Sequence, residues 1–340
     1  MTSPSWALGW AIAALLLSGG VLVTAGVRLT KVVDDLADRL GIGEAMAGAV
    51  LLGAATSLPG LVTTVVGAVS GDAGFAVSNA VGGIAAQTTF LAIADMAYRR
   101  TNLEHAAASV PNMVQALVLT SLIGVVLAAT GSPEVTVLGI HPATVLLVGL
   151  YVYGLSLARR AHRAPMWEPA RTEDTVVDEP DEEGLDASTR RLGVEFGVLA
   201  LVVGATGWVV ATAGLSIAAG TGLSGSLVGA LFTSVITSLP ELVTVVTAVR
   251  IGALTLAVSD IIGGNTFDVL FVAAADVATR EGSVYHLADT RAVFLMALTV
   301  VMTAVLAAGM LEREERHIGF EGVGILLLYS LGVVSLIVLG

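Results

Sequence analysis

Apolar residues fall in ten long runs, at about 6–27, 43–69, 75–98, 107–130, 142–157, 193–213, 223–249, 253–278, 292–311 and 320–339, separated by polar joints. A helix that crosses a bilayer needs roughly 20 apolar residues at about 1.5 Å rise each. The runs therefore predict ten membrane-spanning helices, the fifth short and the second and seventh long. One joint is different: from 161 to 189 it holds Glu168, Glu173, Asp174, Asp178, Glu179, Asp181, Glu182, Glu183 and Asp186. Like charges at that density repel one another and bury nothing, so this stretch reads as a solvated linker. It lacks the glycine-turned loop of alternating oxygen ligands that a calcium-sensing loop requires. The pattern predicts an all-α integral membrane protein divided into a five-helix half at 1–160, an acidic linker at 161–192 and a second five-helix half at 193–340.

Composition supports a bilayer as the solvent: 55% of the 340 residues are hydrophobic, 13% are charged, and mean hydropathy is +0.88. In water such a chain would expose large apolar patches. Residues 1–10 lack the basic region and cleavage site of a secretory leader, so the first run is expected to be a retained span. Cysteine is absent, which removes disulfides and thiolate chemistry. The net charge of −12 excludes the basic footprint of a nucleic-acid binder.

Cytoplasmic loops retain Lys and Arg. With an external N-terminus, 14 of the 16 basic residues lie on the cytoplasmic side, leaving only Arg280 and Arg291 outside. Both termini are thus expected to face outward from the plasma membrane.

Self-comparison shows an internal repeat. T-S-L-P-G-L-V-T at 56–63 returns as T-S-L-P-E-L-V-T at 237–244, an offset of 181 residues. The same register aligns Ser78 with Ser259, Gly82 and Gly83 with Gly263 and Gly264, and Asp95 with Asp276. From 54–95 against 235–276 there are 18 identities in 42 positions, and they include Pro, Thr, Ser and Asp, which shared apolar composition does not explain. Five spans is an odd number, so the second half must enter the membrane in the opposite sense. Ten transmembrane helices as two inverted-topology five-helix repeats is an architecture of alternating-access transporters, with a binding site at the midplane.

Proline lacks an N–H and clashes with the carbonyl four residues earlier, so Pro59 and Pro240 should break the second and seventh spans at mid-membrane. Such breaks are tolerated in a bilayer where the helix is buried or lines a wet cavity. A cation satisfies the freed carbonyls, and Thr56, Ser57, Thr237 and Ser238 add hydroxyl oxygens of the kind that sodium and calcium take. The competing reading of each hydroxyl is a bond back to its own helix.

A carboxylate at membrane depth is costly and usually functional. Glu241 follows Pro240 directly, and Asp268, in G-G-N-T-F-D near the start of the eighth span, is placed to face it. Asp95 and Asp276, nearer span ends, suit capping or pairing with Arg99 and Arg280, and Glu44 suits a helix N-terminus.

These motifs resemble the alpha repeats of the sodium/calcium exchanger (calcium/cation antiporter) superfamily, with T-S-x-P-E in spans two and seven and a G-S-N type motif in spans three and eight. The resemblance covers both repeats and the ten-span plan. It implies that Glu241 is a central ion-binding carboxylate, that Thr237 and Ser238 donate oxygens, that Asp268 supports them, and that backbone carbonyls near Gly53 and Ser234 touch flanking sodium ions. The first repeat departs from the pattern: Gly60 stands where the family usually has a second glutamate, and Gln87 stands opposite Asp268. Gly83 and Gly264 replace a serine often found there.

Calcium takes 6 to 8 oxygens with compensating charge. Glu241 and Asp268 neutralise a divalent ion if both ionise and water fills the space left at Gly60; a single ionised acid suffices for sodium or a proton. The expected function is therefore a secondary active antiporter exchanging Na+ (or H+) against Ca2+. Two alternatives stay open, a Na+/H+ antiporter without calcium transport and a degenerate, non-transporting relative. The expected partners are inorganic cations and the lipid bilayer, with no cofactor and no obligatory protein partner. An enzyme is disfavoured, since His105, His141, His162, His286 and His317 are expected to be scattered at membrane edges, with no H-E-x-x-H pair and no nucleophile constellation.

Overall fold

In a hydrocarbon solvent each backbone N–H and C=O must be satisfied within the segment, which leaves helices as the form for apolar runs of this length. The computed structural model describes residues 6–40, 51–98, 102–107, 109–163, 188–280, 282–312 and 318–338. Among these there is no β-strand, only an isolated bridge between Val137 and Ile140. Among the described residues nine helical stretches are long and apolar enough to cross a membrane: Leu8–Ala37, Ala73–Ala97, Val110–Thr130, Pro142–Arg163, Thr189–Thr221, Gly225–Ile251, Leu254–Ala278, Thr290–Glu312 and Phe320–Val338. The remaining span, the second, is divided into Gly53–Thr56 and Leu58–Val69. The protein is all-α, with ten transmembrane helices in two inverted five-helix repeats.

Helix ends depart from the apolar runs in a consistent way. The first helix extends to Leu40, the fifth to Arg163, and the sixth runs from Thr189 to Thr221. Charged residues such as Lys31 and Arg160 continue a helix into water, where hydropathy alone marks a loop. Most of the acidic linker, at 164–187, lies outside the described residues, as do Glu44, Arg99 and His317.

The third and eighth spans form the centre of the bundle and are the most buried of the long helices, while the fifth and tenth are the least. Leu16, Leu17, Leu201, Trp208, Leu327 and Leu331 are exposed, as a lipid-facing perimeter demands. Without a hydrophobic drive between helices in lipid, close approach depends on small residues. Gly207 of the sixth span lies against Pro59, so that a Cβ there would meet the proline Cα at 2.6 Å, and Gly26 of the first span lies against Pro240, with 3.1 Å to its Cα. Gly26 and Gly207 are themselves 181 residues apart. Each repeat thus lays its first helix against the broken helix of the other. The first and sixth helices also pack on each other, and Arg28 and Glu195 form an ion pair between them.

The same symmetry holds at the ends of the central helices. Asp95 accepts a hydrogen bond from the Leu103 N–H at 2.6 Å, and Asp276 accepts one from the Val284 N–H at 3.2 Å, in the same register. Asp276 also accepts from the His141 N–H at 2.8 Å, Thr144 at 2.7 Å and Ser283 at 3.0 Å. Capping is therefore what Asp276 does; pairing with Arg280 is not seen among the described residues. His141 and His286 are not scattered. Their ring centroids lie 5.4 Å apart beside Tyr285, at one end of the bundle.

Candidate cation-binding site

The second and seventh spans break as a matched pair. Helix Gly53–Thr56 ends at Ser57 (φ −77°, ψ −11°) and helix Ser234–Thr237 ends at Ser238 (φ −93°, ψ 3°); each chain then resumes as a helix with proline in its first turn. Proline is tolerated there because the N–H groups of a first turn have no partner in the helix. The break thus falls at the serine before each Leu-Pro pair and not at the proline. A π-helical turn, Gly229–Thr233, precedes the seventh-span break.

The two threonines and two serines divide by role. Thr56 donates to the Leu52 carbonyl at 2.9 Å and Thr237 to the Ser234 carbonyl at 3.2 Å, both within their own helix. Ser57 and Ser238 lie at the breaks and reach across the repeats. Ser57 donates to Glu241 Oε1 at 3.4 Å, a long bond, and Ser238 accepts from Gln87 Nε2 at 3.3 Å.

Asp268 sits midway along the helix Leu254–Ala278, not near its start. Its Oδ2 accepts from Gln87 Nε2 at 2.7 Å. Glu241 is fully buried, and Asp268 and Gln87 are each 2% exposed. Three acceptor oxygens here have no hydrogen-bond donor: Glu241 Oε2, Asp268 Oδ1 and Gln87 Oε1. A small cavity of about 10 Å³ lies among Ser57, Gln87, Thr237, Ser238, Glu241 and Asp268, about the room that one water-sized body needs. Gly60, Asn79 and Phe271 also line it. Thr56, Gly53 and Ser234 stand off this cavity. The Gly53 carbonyl accepts from the Ser57 N–H at 3.1 Å and the Ser234 carbonyl from the Ser238 N–H at 3.0 Å.

Two buried carboxylates and an amide, each with an oxygen that has no donor, line a space of one small body, and together they are a chemical demand for a positive charge. Both repeats supply part of it, since Ser57 and Gln87 come from the first, and Ser238, Glu241 and Asp268 from the second.

A family model described as sodium/calcium exchanger protein matches residues 10–159 and 192–338. The chain belongs to that family. The family is one of ion exchangers, proteins that transport cations. One curated relative, inner membrane protein YrbG of Escherichia coli (strain K12), is 30% identical over 173 residues, which is 51% of this chain and 50% of that protein. Two solved structures share the fold. The sodium-calcium exchanger NCX_Mj soaked with Na+ and Sr2+ superposes with a TM-score of 0.65 at 17% identity over 97% of this chain and 99% of that one. The H+/Ca2+ exchanger CAX superposes with a TM-score of 0.64 at 16% identity over 97% of this chain and 86% of that one.

Two buried acids of this chain, Asp260 and Glu321, were not singled out from the sequence. Asp260 is fully buried in the eighth span; its Oδ2 accepts from Thr244 at 2.5 Å while Oδ1 has no donor. The 181-residue offset pairs it with Asn79, whose Nδ2 donates to the Gly60 carbonyl at 3.2 Å and to Thr64 at 3.1 Å, and whose Oδ1 accepts from Thr233 at 2.7 Å. The signal was available, one residue beyond the aligned Ser78 and Ser259. It was passed over because Asn and Asp are not identical. Glu321, at the start of the tenth span, is likewise buried and accepts from Asn102 Nδ2 at 2.6 Å.

Proposed function

We propose that this protein is a secondary active antiporter that moves sodium by alternating access through one central site, with Glu241 and Asp268 as the charged ligands and calcium or a proton as the opposing ion. Ser57, Ser238 and Gln87 supply neutral oxygens to the same ion, and the backbone near Gly53 and Ser234, with Thr56 and Thr237, forms the flanking approach. The observation that carries this reading is that Glu241, Asp268 and Gln87, each with a buried oxygen that has no donor, line one small cavity shared by the two repeats. Inverted repeats give such a site two similar routes, one to each side. Sodium coordinates hard oxygens of this kind, and each ion that leaves must be replaced, since unpaired buried carboxylates are costly.

The counter-ion has two readings. Two carboxylates balance the charge of Ca2+, which accords with the family. Gly60 favours a Na+/H+ exchange, because the position opposite Glu241 in the repeat offers no side-chain oxygen. The distribution of basic residues supports a plasma-membrane orientation with both termini outside.

The test is flux in reconstituted vesicles. An imposed sodium gradient drives counterflow of calcium or protons in the wild type, and Glu241→Ala abolishes both. Undiminished flux in that variant overturns the site assignment.

A further inference from the structure

Gly60 and Glu241 hold the same position in the two repeats, yet the space opposite them is not the same. At Gly60 a Cβ would lie 2.9 Å from Phe271 Cε2, closer than real Cβ atoms stand to a neighbour, with Cδ2 and Cζ at 3.7 and 3.8 Å. The edge of the Phe271 ring therefore occupies the place that a side chain at 60 would use. Phe271 is 2% exposed and is held edge-on by Phe267, with centroids 5.8 Å apart at 89°, and Phe267 is in turn 6.1 Å from Tyr151. A ring braced on that side has little freedom to swing away.

The other glycines of the site lack this obstruction. A Cβ at Gly83 would find Ser238 Oγ at 3.4 Å and Asp268 Oδ2 at 3.9 Å, and at Gly264 the nearest atom is the Gly53 Cα at 3.6 Å, all ordinary contacts. Phe90, the counterpart of Phe271 in the first repeat, is not part of the cavity wall. The ring thus enters the site from the second repeat alone, on the side where the first repeat has no acid.

We infer that Phe271 is a specificity-determining residue: its ring covers the Gly60 side of the cavity with carbon, holding the ion's oxygen ligands to the opposite side and so favouring a small monovalent cation over calcium. Calcium needs 6 to 8 oxygens around it, from protein or water. A ring that fills the Gly60 side excludes both a second carboxylate and the waters that would stand in for one. Sodium, with half the charge, tolerates fewer. The inference rests on the placement of the cation between Glu241 and Asp268.

It also changes what a restored acid does. Gly60→Glu alone meets the ring and gains no calcium affinity; the acid becomes a ligand only once the ring is cut back.

The test measures sodium and calcium affinity by titration on the purified full-length chain. Phe271→Ala is expected to raise the ratio of calcium to sodium affinity by about tenfold, the size of effect typical when the surroundings of metal ligands change. Phe271→Leu, which keeps a buried apolar side chain, shifts it in the same direction by less and serves if the alanine variant fails to fold. Gly60→Glu leaves calcium affinity at or below the wild-type level, and the double variant Gly60→Glu/Phe271→Ala exceeds either single variant. An unchanged ratio in both Phe271 variants, or Gly60→Glu alone matching the double variant, overturns the inference. Wild type and Glu241→Ala binding sodium equally well would instead overturn the site itself, and that failure shows before any Phe271 variant is made.

Discussion

Gln87 and Asp268 stand 181 residues apart at the same position of the two repeats, and their side chains meet, Nε2 of the amide donating to Oδ2 of the acid at 2.7 Å. A twofold-related pair of like residues would have set two carboxylates or two amides face to face. The chain has one of each, so the acid receives a donor from its own counterpart while its Oδ1 has none. Repeat symmetry brings the two positions together, and the difference between the repeats makes them complementary.

Gln87→Leu removes that donor from a buried carboxylate, a loss of about 1–3 kcal/mol. A lower midpoint of thermal unfolding in detergent is expected. Added sodium should raise the midpoint less in the variant than in the wild type, since a ligand stabilises in proportion to its affinity for the folded state. A variant with wild-type stability and wild-type response to sodium contradicts the role given to this pair.

Asp260 occupies the slot in which Asn79 donates to a backbone carbonyl in the first repeat. Asp260→Asn removes a buried acid that has no cation beside it among the described residues, and it supplies an amide that can donate as Asn79 does. The variant is expected to unfold at a temperature equal to or above the wild type. A large drop in the midpoint would mean that the acid itself holds the eighth span in place.

At the crossing of the sixth span and the broken second span, Gly207 permits contact with Pro59 that a methyl group would block. Gly207→Ala forces the two helices apart and is expected to cost about 1–3 kcal/mol, as overpacking does. Gly204, one turn away, has nothing within 4 Å of its would-be Cβ, and Gly204→Ala is expected to be neutral or slightly stabilising. Thermal unfolding of the two variants side by side checks this; equal effects would contradict the packing described.

The features legible in the sequence were those in which a residue type declares its own constraint. Pro59 and Pro240 cannot sit in mid-helix, and their recurrence within T-S-L-P at a fixed offset exposed the repeat, while Glu241 cannot sit in lipid without a reason. Asp268 and Gln87 were found the same way. Less legible was anything that depends on a partner. Thr56 and Ser57 are adjacent hydroxyls with the same sequence argument, yet Thr56 donates back to the Leu52 carbonyl while Ser57, at the chain break, donates across the repeats to Glu241. Gly26 and Gly207 look like ordinary small residues until Pro240 and Pro59 are seen against them. Gly60 read as a vacancy, since nothing in its own neighbourhood of sequence announces the ring of Phe271.

The central claim is that a cation sits where Glu241 Oε2, Asp268 Oδ1 and Gln87 Oε1 converge. Crystals of the protein grown with thallium(I) in place of sodium would locate a monovalent cation by its anomalous scattering. The account predicts a peak within coordinating distance of those three oxygens, lost in Glu241→Ala crystals; a peak that persists in that variant, or one found only outside the four central helices, would contradict it.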